Sequence, residues 1–377
     1  MTDVLRLHHD LCAIPSISRD EGDAASFIEA VARGQGAASG MRVERSEHNV
    51  WATLGSGDDV LLLASHLDVV PPSDGHPFDP FTPTVRDGNV YARGAVDAKA
   101  SGAAMLAALF DLARHGWTPE AGRLVVALTA CEEVGSDENG LDHLRREVPA
   151  FPTPSAALVG EPTDLRPCLA QKGLLVLRCT ARGRTAHAAR AHLGTNALTA
   201  MARDLLHVDS LQIGADDPFL GRPTVNATVA SGGTARNVIP DEATFWLDVR
   251  STPGASHPEM AAEIAGHLES EVAIHSERLV PCATPPEARI ARAASGALAS
   301  LGMDAEPFGS PTASDWVFLS DVPAVKIGPG DSRLSHTPEE HVPQAEVVRA
   351  VSVYRAIAER YFSPSPPLAP EAHPRAN

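Results

Sequence analysis

The chain has 377 residues, 44% of them hydrophobic and 21% charged, and 48 acidic against 31 basic side chains leave a formal net charge of -17. That length exceeds what one hydrophobic core usually serves, so two domains, or one domain carrying a large insertion, are expected. The acidic surplus argues against nucleic acid and anionic membrane surfaces as partners and suits a protein that handles small molecules.

Residues 4–33 show helical spacing of apolar side chains broken at Ile14-Pro15-Ser16, which predicts two helices around a turn. From 60 to 162, strand-like runs alternate with helical patterns, notably a helix over 98–115, and such alternation predicts a parallel, helix-covered sheet. The stretch 174–282 changes character. It reads strand (174–182), helix (196–207), strands (224–230 and 243–249), helix (257–269), strand (272–279), the β-α-β-β-α-β order of a ferredoxin-like sandwich. Ser256 stands three residues before Glu259, a capping box that supports the start of its second helix. A helix over 289–301 and the run 314–327 resume the first unit, and a last helix covers 344–362. The expected fold is therefore α/β: a mainly parallel catalytic sheet in two parts, 1–173 and 284–362, with an inserted α+β unit at 174–283. Residues 363–377 hold five prolines in fifteen positions and are expected to be a disordered tail.

Five cysteines, odd in number and without a C-x-x-C pair, fit reduced thiols. Met1-Thr2-Asp3 opens without a basic, apolar leader, and no apolar run approaches the roughly 18 residues of a membrane span. The expected compartment is the cytoplasm.

Five apolar runs end abruptly in a carboxylate or histidine: 60–68, 94–97, 125–133, 157–161, and 325–328 leading to His336. Buried parallel strands read as apolar runs, and open α/β sheets bind ligands beyond the carboxyl ends of their strands, so these endings should share one crevice. His66, Asp97, Glu133, Glu161 and His336 offer two imidazoles and three carboxylates. One metal would hold His66, Glu161 and Asp97; a second would hold His336, Glu133 and the shared Asp97. This nitrogen and oxygen set suits zinc, with cobalt able to substitute. Asp68, two residues from His66, would orient the imidazole. Glu132, left over beside Glu133, would take the proton from a water activated between two metals, the chemistry that amide hydrolysis needs.

Ile14-Pro15-Ser16-Ile17-Ser18, Ser65-His66-Leu67-Asp68-Val69-Val70, Arg93-Gly94-Ala95-Val96-Asp97-Ala98-Lys99, Cys131-Glu132-Glu133-Val134-Gly135, Val159-Gly160-Glu161-Pro162-Thr163 and Ser335-His336-Thr337 together resemble the di-zinc metallopeptidase family. That family includes acetylornithine deacetylase, succinyl-diaminopimelate desuccinylase, aminoacylase and the glutamate carboxypeptidases. The resemblance covers nearly the whole chain except the tail, and departs from it at Lys99-Ala100-Ser101, where many relatives carry Lys-Gly-Gly. It implies that Asp97 bridges the metals, that Glu132 is the general acid and base, and that Asp68 supports His66. It further implies a homodimer formed through the inserted unit. His187, in Gly183-Arg184-Thr185-Ala186-His187, would reach the partner's site to bind the scissile carbonyl oxygen, and Asn237 and Arg250 would hold substrate.

Glu161, rather than aspartate, resembles the deacylase branches of the family. The turn Gln171-Lys172-Gly173 lacks the paired arginines common near this point in diaminopimelate desuccinylases. The runs 309–315 and 326–340 resemble acetylornithine deacetylases, so the expected reaction is hydrolysis of N2-acetyl-L-ornithine, or its succinyl counterpart, in arginine biosynthesis. The same runs resemble the hydrolase that releases lysine from an acidic amino-group carrier protein, a partner that this acidic chain would repel. A binding protein of the same fold without hydrolysis would be expected to have lost a ligand, and none is lost.

Overall fold

The computed structural model describes residues 3–36, 40–134 and 138–363, so all but the first residue of the expected tail lies outside the described residues. The apolar runs Asp59–His66 and Gly122–Thr129 form adjacent parallel strands, buried on both faces. Ala156–Val159 pairs parallel with the first of them, and Ala324–Lys326 pairs parallel with Ala156–Val159. These four make the centre of a nine-stranded sheet. Its margins are antiparallel except for Phe308–Ser310, which pairs parallel with Cys168–Gln171. The hairpin Arg42–Ser46 and Asn49–Gly55, not anticipated from the sequence, flanks Gly122–Thr129, while Cys168–Gln171 and Cys282–Ala283 close the other side.

Alternation along each strand divides the apolar side chains between two cores. Leu61 and Leu63 face the helices Val4–Cys12, Lys99–Arg114, Arg289–Ser300 and Gln344–Phe362. Val60, Leu62 and Ala64 face Leu141 and Leu144 of Gly140–Glu147, together with Trp316 and Leu319. Each fully buried leucine contributes roughly 1.5–3 kcal/mol by leaving water. Lys99–Arg114 is buried over almost its whole length, and its run of alanines lets it lie close on the sheet.

The α+β unit consists of Gly173–Arg182, Ala197–Val208, Thr224–Gly232, Glu242–Ser251, His257–His267 and Glu271–Leu279. Its four strands lie in the order second, third, first, fourth expected of the split βαβ sandwich: Thr224–Gly232, Glu242–Ser251, Gly173–Arg182, Glu271–Leu279, all neighbours antiparallel. Leu175, Leu177, Phe245, Leu247, Met260 and Ile264 form a separate core between this sheet and its two helices. The Ser256–Glu259 capping box forms as expected. A short ladder, Ala186–His187 against Val238–Ile239, was not anticipated. None of the described helices is long and apolar enough to cross a membrane.

Candidate active site

The polar endings do converge. His66 is the last residue of its strand, Glu161 follows Ala156–Val159 by two residues, and Glu132 and Glu133 lie just past Gly122–Thr129. Asp97 precedes the helix Lys99–Arg114 by two residues, where the amino-terminal end of the dipole favours a carboxylate. Gly94, at φ +80°, allows the turn that brings it there; a side chain at that position would collide with Val69.

Asp97 stands between the two imidazoles and turns one oxygen to each. Its Oδ1 is 3.3 Å from Nε2 of His66, and its Oδ2 is 3.5 Å from Nε2 of His336. Glu161 Oε1 lies 3.8 Å from the same nitrogen of His66, and Glu133 Oε1 lies 2.9 Å from that of His336. The five residues thus form two half-sites sharing one carboxylate. His66, Asp97 and Glu133 each offer a ligand atom within 4.8 Å of the others. A cavity of about 250 Å³ opens over them, lined by Glu132, Glu133, Glu161, Thr312, Lys326 and His336.

The electrostatics of this cluster fit divalent cations. Burial, then the charge of Asp97, pushes the Glu161 carboxyl up to about 8. Burial raises Glu132 well above the carboxylate range, with Glu161 and Asp315 adding to the shift, and it also raises Glu133. Burial opposes the charged form of Asp97 too, but hydrogen bonding to His66 brings its carboxyl below the usual range. Carboxylates gathered this closely need cations to offset their desolvation. Among the described residues lining the cavity, Lys326 is the one ammonium, and it donates to Ser310 Oγ and the Thr312 carbonyl.

The surrounding side chains fix these groups. The Nδ1 of His66 donates to the backbone carbonyl of Asp68 at 2.9 Å, while the Asp68 carboxylate is farther, at 3.5 Å. Asp68 lies two residues beyond the end of the strand that His66 closes. Its two oxygens instead accept the backbone N–H groups of Glu132 and Glu133, both at 3.0 Å, and the hydroxyl of Ser18. Behind Asp97 and His336 lies a buried ion pair whose role the sequence did not disclose. Glu340 pairs with Arg93 and accepts the N–H groups of Val96 and Asp97. A second such residue is Asp315, buried at the head of the apolar Trp316-Val317-Phe318-Leu319, where it accepts from Asn139 and Thr129. A charge heading an apolar run was its available signal.

The inserted unit behaves differently. His187, Asn237 and Arg250 do not line the cavity. The Ala186–His187 ladder brings the first two together, since Ala188 N–H donates to the Asn237 carbonyl. His187 and Asn237 are exposed, and His187 Nδ1 accepts from Ala189 N–H. Arg250 is held by Asp248 in its own strand.

A crevice of buried carboxylates and imidazoles at the carboxyl ends of a parallel sheet defines a metal-dependent hydrolase, and comparison with known proteins agrees. Residues 62–360 match the model of peptidase family M20/M25/M40. A succinyl-diaminopimelate desuccinylase of Xanthomonas oryzae pv. oryzae (strain MAFF 311018) is 30% identical over 385 residues, covering 96% of this chain and 99% of the relative. One from Methylorubrum populi is 31% identical over 392 residues, covering 95% and 98%. Among solved structures, aminopeptidase PepT from Bacillus cereus superposes with a TM-score of 0.77 at 20% identity, covering 96% of this chain and 98% of that one. The Bacillus subtilis YXEP protein, a dinuclear metal-binding peptidase of family M20, superposes at 0.72 with 16% identity over 95% and 97%. The chain belongs to peptidase family M20/M25/M40 and is a metal-dependent amidohydrolase.

Proposed function

We propose that the chain uses two zinc ions to remove the N-acyl group from an N-acyl amino acid, with N2-acetyl-L-ornithine, in arginine biosynthesis, as substrate. The observation that carries the metal half of this proposal is Asp97, whose two oxygens each face a different imidazole. His66 and Glu161 would hold one ion, His336 and Glu133 the other, with Asp97 shared and cobalt able to replace zinc. Bound there, the ions would polarise the scissile carbonyl and lower the pKa of the attacking water.

Glu132 takes the proton from that water as its oxygen adds to the carbonyl carbon. A carboxyl raised by burial is suited to accept a proton near neutrality and to return it. The proton then passes to the amide nitrogen as the C–N bond breaks, releasing the free amine and the acid. His187 donates to the tetrahedral oxyanion, and it does so from the partner subunit of a homodimer. Two features support that pairing: His187 is exposed in its own chain, and the edge strand Thr224–Gly232 is exposed along nearly all its length, with Val229 58% accessible. Asn237 and Arg250 hold the substrate, the guanidinium suiting a carboxylate. Lys172 lies close enough for the charge of Arg250, after burial, to lower its pKa, so a second cation supports the same anionic group.

A second reading is favoured by relatives named as succinyl-diaminopimelate desuccinylases, which match 95–96% of the chain. A kinetic panel of N-acetyl and N-succinyl derivatives of ornithine, lysine, citrulline and diaminopimelate, with and without chelator, decides between them. The highest kcat/KM is expected on acetylornithine. A maximum on succinyl-diaminopimelate transfers the assignment to the second reading, and turnover that survives chelation removes the metal mechanism.

A further inference from the structure

The turn bearing Glu132 begins with an unusual backbone. Cys131 has φ +58°, a left-handed conformation that a residue with a side chain adopts at a cost of order 1 kcal/mol unless its surroundings hold it there. What holds it is Glu21, a carboxylate with no exposed surface and no role in the mechanism above. Glu21 Oε1 accepts the Cys131 backbone N–H at 3.1 Å, the Arg19 N–H at 2.8 Å and the Cys131 thiol at 3.4 Å. Its other oxygen faces Nδ1 of the half-exposed His48 at 3.1 Å. Burial, then the neighbouring Glu21 charge, pushes the thiol up to about 12, so Cys131 is a neutral donor here rather than a nucleophile.

Three consecutive N–H groups, those of Cys131, Glu132 and Glu133, are therefore each taken by a buried carboxylate: the first by Glu21, the next two by Asp68. Both acids are tied to the same amino-terminal turn. Ser18 donates to Asp68, Ile17 bridges to Val69, and Ser16 Oγ donates to the Leu67 carbonyl. We infer that Glu21 is a positioning residue for Glu132: it locks Cys131 in the left-handed conformation that delivers the next side chain into the crevice. The inference rests on the proposed proton-transfer role of Glu132.

The test compares Glu21→Ala, Glu21→Gln and the double variant Glu21→Ala/Cys131→Gly in the full chain loaded with zinc. Glu21→Ala should lower kcat about tenfold or more while KM and metal stoichiometry stay near those of the parent; Tm should fall, because buried N–H groups lose their acceptor, but the chain should remain folded at the assay temperature. Glu21→Gln keeps an oxygen for the two N–H groups and should recover most of the rate. Glycine reaches positive φ without penalty, so the double variant should regain rate over Glu21→Ala. Independently of turnover, Cys131 should react faster with iodoacetamide in Glu21→Ala, because the turn that buries it has lost its anchor. A kcat within twofold of the parent in Glu21→Ala, or a fall in kcat that tracks lost metal and is not relieved by the glycine, overturns the inference. If Glu132→Gln retains kcat while Glu21→Ala still exposes Cys131, the fault lies with the role assigned to Glu132 and not with the anchor.

Discussion

The crevice and the inserted α+β unit handle their polar residues in opposite ways. In the crevice, His66, Asp97, Glu133, Glu161 and His336 lie within 4 Å of one another in pairs, backed by a buried Arg93–Glu340 ion pair. In the α+β unit, His187 and Asn237 stand in solvent and Arg250 pairs with its strand neighbour Asp248. The difference teaches that one chain pre-organises the groups proposed to bind metal and move protons, whereas those proposed to grip substrate await another surface. Preorganised electrostatics cost no rearrangement during reaction, and that cost is best avoided where charge develops.

The sharpest attack on this comparison is Glu132→Gln, which should lower kcat by about 10²–10⁴-fold while metal stays bound, as read by steady-state kinetics and metal analysis. A near-normal kcat would remove Glu132 as the proton carrier. His187→Ala should cost about 10²-fold in kcat, the usual loss of one oxyanion donor. Mixing it with Glu132→Gln should restore activity, because hybrid dimers would own one intact site; no recovery would place His187 outside the partner's crevice.

Stability separates the regions next. Glu340→Ala leaves Arg93 buried without its acid and should cost about 3–5 kcal/mol in chemical denaturation. Glu269→Ala, which breaks the exposed Arg203–Glu269 pair of the α+β unit, should cost no more than about 1 kcal/mol. Equal losses would erase the contrast. Acid probes the crevice side separately. Burial lowers the fully enclosed His8 from 6.5 to about 4, despite its hydrogen bond to the Ala95 carbonyl beneath the crevice. The folded chain refuses a proton that the unfolded chain accepts, so this contribution is whole above pH 6.5 and is lost as pH falls towards 4. It amounts to about 3 kcal/mol. Unfolding free energies measured across that window should decline less steeply in His8→Gln.

Much of this was legible in the sequence because local pattern and buried geometry coincide. The run Val60-Leu61-Leu62-Leu63-Ala64 can be apolar at every position only where both faces are covered, and the structure covers both. The spacing over 344–362 and the Ser256–Glu259 box likewise state a helix and its start. Of the hairpin, Arg42–Ser46 escaped notice since a marginal strand, half solvated, carries a weaker signal; Asn49–Gly55 is buried, and its Asn49, Thr53 and Gly55 interrupt the apolar run that would have marked it. Glu21 and Glu340 escaped for another reason: a buried acid looks like any surface acid until its partners, 110 and 247 residues away, are known.

By itself, then, the sequence determined which strands are buried, where they stop, and which side chains stand at those stops, because hydrophobic periodicity and turn chemistry are local properties. Tertiary structure alone decided that Asp97 turns one oxygen to each histidine, that Asp68 braces the Glu132–Glu133 turn, and that the His187 segment meets the Asn237 segment through a two-residue ladder and the Ala188 N–H. Each of those contacts joins segments remote along the chain, and only the packing of helices against the sheet sets the distance between them.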